Sequence, residues 1–475
     1  MTVFLNRSSN ASNEILTSKN SRIEDKFQSL EQHASDSTAA VTEDGGIQQH
    51  ESKEKEHLKD PESVRSSVDI FPADTHTQDE VSQVQSTSSN LKSSSQFSAN
   101  IFIRRPRLHN LQSDTTLSDI YKLPSFLAYT NLNTVVASGH RKLKHLPQIQ
   151  ASQIQDMWAV GQGSFGSVHC VSLTCPSCGK ISNIKTGSQK GVIHARETEH
   201  EKYVMKKLII AQEDKTDLKS ANHSLMDLII ETHFLAALDH PHIVKIKGVA
   251  SSTTLAKDFF LIMERLNETL SVRIHTKWAN RQYQLEKSRD MMRSRKHYVP
   301  SVFRRKFDKK LNSLWRERLF VANGIIQAIS HLHELGVMHR DIKPKNIGFD
   351  EKGEVKLFDF GTALQLTSSD RIMCAGSRVG SRRYMAPEVY NRQPYTFSAD
   401  VYSFTLVLWE MLMYRKPEDW NLKEETVGCP LERPSIPADW SAGIHELITL
   451  CCSHRAEDRL SAREISLVLE KEMKL

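Results

Sequence analysis

Nothing in the 475 residues comes near the roughly 18 consecutive apolar positions that a bilayer-spanning helix needs. The amino terminus, MTVFLNRSSN, lacks the charged-then-apolar order of a secretory signal. Neither membrane insertion nor secretion is expected. Cysteine is scarce too, with seven residues at positions 170, 175, 178, 374, 429, 451 and 452. An odd, scattered set in a chain long enough to bury a core reads as reduced thiols in the cytoplasm or nucleus, not as a disulfide framework.

The first hundred residues have no Trp, Tyr or Cys, and they hold 20 serines with 9 Lys+Arg against 16 Asp+Glu. Such a stretch buries too little apolar surface to offset chain entropy, so residues 1–100 are expected to form a disordered, acidic, Ser-rich tail. Positive charge is concentrated in residues 277–310, where 12 Lys+Arg face 3 Asp+Glu. The whole-chain net charge of +6 therefore reflects one patch and gives no support for a protein that coats nucleic acid.

Residues 101–154 mix apolar residues with turn formers and read as a partly ordered linker whose packing the sequence leaves open. From 155 to 475 apolar patterning is dense. Short strand-like runs (MWAV, SVHCV, YVMKKLII) precede long helical runs (LFVANGIIQAISHLHEL, DVYSFTLVLWEMLMY), so a strand-rich part is followed by a helix-rich one.

Three signals carry chemistry. Gly161-Gln162-Gly163-Ser164-Phe165-Gly166-Ser167-Val168 is a glycine-rich turn between two strand-like runs, where backbone can fold closely over phosphates. Alone it fits a plain hairpin as well; a dinucleotide site would have a helix next, and here a strand continues. Lys206 closes a short apolar strand, and Glu231 lies in a helical pattern with Leu225, Leu228, Ile229, Leu235 and Leu238. Taken singly they read as an exposed strand lysine and a solvated rim carboxylate; near an apolar face, each is the other's candidate partner. The third signal is His339-Arg340-Asp341-Ile342-Lys343-Pro344-Lys345-Asn346, then Asp359-Phe360-Gly361, then Ala386-Pro387-Glu388. Phosphoryl transfer requires metal-held phosphate oxygens and a carboxylate that orients the attacking hydroxyl, and Asp341, Asn346 and Asp359 can supply those oxygens.

In this order the motifs resemble the eukaryotic protein kinase superfamily over about Asp156 to Leu469, on its serine/threonine side, with phrasing near the end similar to the tyrosine-kinase-like group. The resemblance implies an α+β, two-lobed kinase fold, a small β-rich N-lobe and a larger helical C-lobe, over residues 155–475. It implies ATP and magnesium as cofactors, protein substrates, and a role in signal transduction. By the same resemblance Gly161, Gly163 and Gly166 cover the triphosphate, Val168 and Val204 belong to the nucleotide site, and Lys206 contacts phosphates while pairing with Glu231. Met263 guards the adenine pocket, with Glu264 and Leu266 offering backbone hydrogen bonds. Asp341 is the catalytic base, Lys343 the γ-phosphate cation, Asn346 and Asp359 the metal ligands. Ser381 stands at a hydroxyl position typical of serine/threonine kinases, and Ser377 is the expected activating phosphosite, with Thr367, Ser368 and Ser369 as alternatives. His339, Phe360, Leu235 and Ile246 form an apolar spine anchored by Asp400, and Glu388 pairs with Arg459. Val204 replaces a usual Ala and Thr405 a usual Gly. The alternative is a pseudokinase or scaffold that binds partners without catalysis.

Two loop insertions are expected, at about 171–200 and 275–312. The first holds Cys175, Cys178, His194 and His200 at a spacing that zinc sites use, although it lacks the aromatic of a finger core and ordinary loop residues are the default. The second carries the basic patch and reads as a solvated loop that acidic partners, nuclear-import receptors or anionic lipid would favour, with no specific nucleic-acid platform.

Overall fold

The computed structural model describes Pro106 and residues 114–163, 166–174, 203–208, 218–294, 301–366, 378–417, 435–438 and 440–474, all within the unit Gln96–Leu475. The predicted acidic tail, the Cys175, Cys178, His194 and His200 set, and Ser377 lie outside the described residues.

Where the sequence suggested a linker, three helices form: α1 (Leu117–Tyr121), α2 (Pro124–Leu132) and α3 (Thr134–Leu143). Thr116 caps α1 in a reciprocal capping box with Asp119, and the Asn133 side chain accepts from Val136 N at the start of α3. Their apolar faces are spent inside the core, since Leu117, Ile120, Phe126, Tyr129 and Val136 are all buried.

A six-stranded sheet follows, in the order β1 (Gln148–Ile149), β5 (Ile246–Ala250), β6 (Phe260–Glu264), β4 (Tyr203–Lys207), β3 (Gly166–Leu173), β2 (Ile154–Gly163). Every neighbouring pair is antiparallel except β1 with β5. The β2–β3 hairpin closes on the pair Gly163–Gly166. Gly166 has φ of +143°, and a Cβ there would stand 2.2 Å from the Lys207 carbonyl oxygen, so only glycine fits. Helix α4 (Leu218–Ala237) packs Leu225, Leu228, Ile229, Phe234 and Leu235 inward, which is the 3.6-residue period the sequence showed.

The helical lobe is built around α8 (Ser398–Met413), whose residues Ala399–Leu412 are nearly all buried, as expected of a helix apolar all round. Against it run the 34-residue α6 (Ser301–Glu334), α9 (Ala442–Cys451) and α10 (Ala462–Lys474), with the short helix α7 (Pro387–Tyr390) nearby. Arg318 of α6 is buried and donates to the carbonyls of Met411 and Leu412 at the end of α8, which satisfies a buried cation with a helix C-terminus. Small strand pairs line the cleft: β9 (Ile347–Phe349) lies between β10 (Val355–Leu357) and β7 (Glu268–Thr269), and β11 (Leu364–Gln365) pairs with β8 (Val337–Met338).

The expectation of a solvated loop at 275–312 is corrected. A helical turn and a π-turn (Arg273–Trp278) lead into α5 (Ala279–Ser294), and the second half of the basic stretch is already α6. Ile274 and Trp278 are core residues, Trp278 Nε1 donates to Glu317 at 2.9 Å, and His275 Nε2 lies 2.7 Å from buried Glu410. The other expected insertion begins later than 171, because Val171–Leu173 are still strand β3.

Candidate active site

Strand β4 delivers Lys206 into the interior, and α4 delivers Glu231 to meet it. Lys206 Nζ donates to Glu231 Oε2 at 2.8 Å and to Asp359 Oδ1 at 2.7 Å, while Phe360 N donates to Glu231 Oε1 at 3.3 Å. The sequence reading paired Lys206 with Glu231; the third member, Asp359, is supplied by tertiary structure. Burial alone would pull the Lys206 ammonium down, but the two carboxylates outweigh it and hold its pKa above the ordinary lysine value. Burial wins at Glu231, raising it against the pull of Lys206, whereas at Asp359 Lys206 overcomes burial and the carboxyl is lowered. One ammonium shared by two carboxylates leaves a net negative centre, which suits a divalent cation.

The second cluster sits on the loop after β8. Asp341 Oδ2 accepts from Lys343 Nζ at 2.7 Å and from Asn346 Nδ2 at 2.9 Å. Its other oxygen, Oδ1, is buried and has no hydrogen-bond partner among the described residues. A buried, unpartnered carboxylate oxygen is costly and is the atom to which an incoming hydroxyl would donate. Lys343 Nζ also donates to Ser381 Oγ at 2.7 Å, so the segment before α7 is bolted to the same lysine. Gly380 makes this approach possible: φ is +104°, and a Cβ would lie 2.3 Å from the Arg340 carbonyl oxygen.

Two non-glycine residues beside these carboxylates, Arg340 (φ 68°) and Asp359 (φ 67°), adopt the left-handed backbone. Asp400, fully buried at the start of α8, holds the first of these turns by accepting from His339 N and Arg340 N, each at 2.8 Å. Burial would raise the Asp400 carboxyl, yet His333 and the amide donors bring it below the usual range. Arg340 Nε donates to the Thr362 carbonyl at 2.7 Å, so its guanidinium already has a partner without any phosphate. His339 and Phe360 pack edge to face with centroids 5.0 Å apart, and Leu235 and Ile246 are buried in the same core cluster.

Val204 pairs with Met263 across β4 and β6, and Val168 pairs with Lys206 across β3 and β4, so both valines and Met263 lie on the strands that carry Lys206. Gly161 is open, with space for a side chain, unlike Gly166. Glu264 N donates to Lys245 O, and Leu266 rests against Gly348.

Asn346 and Asp359 are the oxygen donors available for a metal. Asn346 spends its amide nitrogen on Asp341, leaving Oδ1 as a neutral oxygen donor to join the Asp359 carboxylate. Among the described residues no group of three or more His, Cys, Asp or Glu could hold a metal ion by itself. A cation here would share its coordination with phosphate oxygens and water, the arrangement Mg2+ favours.

Residues that sequence reasoning passed over are Gln365, Thr134, Gly139, His140 and His233, which join the site to α3. No local motif marks them. Comparison with known proteins matches the protein kinase domain family over residues 179–467. A probable LIM domain-containing serine/threonine-protein kinase of Dictyostelium discoideum is 32% identical over 167 residues, covering 34% of this chain and 17% of the relative. Mouse (Mus musculus) ribosomal protein S6 kinase alpha-2 is 28% identical over 312 residues, 66% of this chain and 34% of the relative. The probable serine/threonine-protein kinase drkC of Dictyostelium discoideum is 27% identical over 376 residues, 78% of this chain and 41% of the relative. The chain thus spans under half the length of each of these relatives.

Proposed function

The chain belongs to the protein kinase family, and from that premise we propose that it is an active serine/threonine protein kinase that moves the γ-phosphoryl group of ATP to Ser or Thr hydroxyls of protein substrates. The observation that carries the reading is the buried Asp341 Oδ1, without a hydrogen-bond partner among the described residues, beside Lys343 and Asn346, with Lys206, Glu231 and Asp359 already assembled. A vestigial site, the pseudokinase alternative, has no reason to keep an orphaned carboxylate oxygen at the cost of its desolvation.

In this mechanism Asp341 Oδ1 accepts a hydrogen bond from the substrate hydroxyl, orients its oxygen toward the γ-phosphorus and takes the proton as the new P–O bond forms and the bond to the β–γ bridging oxygen breaks. Lys343 donates to the transferring phosphoryl group. Lys206, held by Glu231, donates to the α and β phosphates. Mg2+, held by Asn346 and Asp359, would neutralise charge on the β and γ oxygens. The contact of Lys343 with Ser381 favours Ser/Thr as acceptor, because it fixes the acceptor-side segment to the residue that neutralises the phosphate.

The buried free thiols of Cys170 and Cys451 support residence in a reducing compartment, the cytoplasm or nucleus. Among the described residues no helix is long and apolar enough to cross a membrane. The exposed Arg281 and Lys287 of α5 and Arg305, Lys306, Lys309 and Lys310 of α6 are offered as the docking face for an acidic partner.

Labelled ATP and a mixed peptide library test the reading. Label should enter Ser and Thr in a Mg2+-dependent way, and Asp341→Asn and Lys206→Met should each lower turnover by about 100-fold or more. Asp341→Asn should do so with the melting temperature close to the parent's, whereas Lys206→Met strands the buried Glu231 and Asp359 carboxylates and should also lower it. Parent-level turnover in Asp341→Asn would overturn the mechanism.

A further inference from the structure

Helix α3 touches, on its two ends, the two pieces of chain that must be held together for the site to exist. At its start, Gln365 Oε1 accepts from Val135 N and Gln365 Nε2 donates to Thr134 Oγ1, both at 2.8 Å. Those bonds satisfy helix-start groups that otherwise need water or a cap. Gln365 follows the Asp359-Phe360-Gly361 turn and belongs to β11, which pairs with β8, the strand that leads into His339 and Asp341. One glutamine therefore ties α3 to both halves of the catalytic cleft.

Toward its other end α3 lies on α4. Gly139 permits a backbone-to-backbone approach, since a Cβ there would be 1.9 Å from the His233 carbonyl oxygen. The rings of His140 and His233 stack at 5.4 Å and 5°, with His140 Nδ1 3.2 Å from His233 Nε2. His233 Nδ1 faces the Ile229 carbonyl at 2.6 Å and must donate to it, so its Nε2 accepts and His140 Nδ1 donates. Lys142 Nζ donates to the Ala237 carbonyl at 2.8 Å, capping the end of α4. Residues two apart on a helix point about 200° apart, so the face of α4 that meets α3 at His233 is opposite the face that presents Glu231 to Lys206. Helix α4 is held between them. The front of the cap is fixed too, because Leu117 N and Ser118 N donate to Thr254 O and Ser252 O, and Ala256 N donates to Thr115 O, in the loop between β5 and β6.

We propose that α1–α3 are an in-chain clamp for phosphotransfer: α3 presses Glu231 toward Lys206 from behind α4 while its N-terminus grips Gln365, and Thr134, Gly139 and Gln365 are positioning residues of the reaction. The proposal rests on the kinase reading above. None of the three residues touches the reacting groups, so their effect runs through the placement of Glu231 and Asp359.

The test uses the full chain with Gly139→Val, Gln365→Ala, Thr134→Val and Thr134→Ser. Steady-state kinetics are measured together with amide hydrogen exchange in residues 225–237 and 357–366, with α8 as an internal reference. In Gly139→Val and Gln365→Ala, kcat should fall about tenfold or more while KM for ATP moves less than roughly threefold, the signature of misplacement and not of lost binding. Exchange should rise in both segments and stay unchanged in α8. Thr134→Val should show the same pattern more weakly, and Thr134→Ser should return to the parent values. Because Gly139→Val is the harsher change, Gln365→Ala decides if that variant fails to fold. An active parent whose Gln365→Ala variant keeps its kcat, or loses kcat with no change in exchange of either segment, would overturn the clamp. A parent chain that transfers no phosphate removes the kinase reading instead, and exchange then still decides whether α3 holds α4.

Discussion

Glu388 and Arg459 come from distant points of the chain and meet as a buried bidentate pair, Nη1 to Oε1 at 2.7 Å and Nη2 to Oε2 at 2.8 Å. Arg459 also donates to Ser453 O and Ser398 O and lies over the Tyr402 ring. A pair so enclosed is poor evidence of net stabilisation, yet removing one partner strands the other charge. Glu388→Gln should therefore cost about 3–5 kcal/mol in urea unfolding. A loss below about 1 kcal/mol would mean that water reaches the guanidinium. His233 gives a pH prediction. Burial, then the neighbouring His140, lowers its pKa from the ordinary 6.5 to about 4 against the opposing pull of the Ile229 carbonyl, and the rings of Tyr121 and Phe126 enclose the pair. His140 is lowered as well, by burial and then Lys144. Between pH 6.5 and 4 the unfolded chain binds protons that the folded one refuses. This contribution to stability is present above pH 6.5 and is lost as pH falls toward 4, at up to about 1.4 kcal/mol per pH unit for His233. Stability measured against pH should be flatter in this window for His233→Gln than for the parent.

At the scale of elements, the basic segment is the instructive case. Its charge suggested solvated loop, but between Arg273 and Ser294 there is neither Gly nor Pro, and Arg, Lys, Gln, Glu, Met and Leu are good helix formers. Arg281 and Lys287 stand exposed on α5 while Ile274 and Trp278 fasten its entry to the helical lobe. Trp278→Ala removes a fully buried ring and leaves Glu317 without its indole donor, so it should cost about 3–5 kcal/mol. Calorimetry showing a shift of only a degree or two would mean that α5 is an ornament on the lobe, not part of its core. The β2–β3 hairpin gives the opposite lesson. Its glycines were legible as a motif, but which of them is sterically obligatory was not: Gly166→Ala should disrupt the junction with Lys207, whereas Gly161→Ala meets no neighbour.

For the whole molecule, the boundary of the folded unit is the quantity at stake. Removing residues 1–100 should leave the melting temperature within a few degrees of the parent, since the described core begins after them. Removing residues 1–146 also strips Leu117, Ile120, Phe126, Tyr129 and Val136 from the core, a loss of several kcal/mol and a fall on the order of ten degrees. Equal melting temperatures for the two truncations would show that the cap contributes nothing to the fold. The sequence by itself determined the strand-then-helix order and the identity of Lys206, Glu231, Asp341, Asn346 and Asp359 as site candidates, because these are set by local periodicity and by short motifs whose residues act close to one another along the chain. It left open how residues 101–154 pack and missed Gln365, Gly139 and the His140–His233 stack. Those depend on contacts between segments some 90 to 230 residues apart, where the physical cause is the close approach of α3 to α4 and β11. No spacing along the chain encodes that approach; only the folded arrangement decides it.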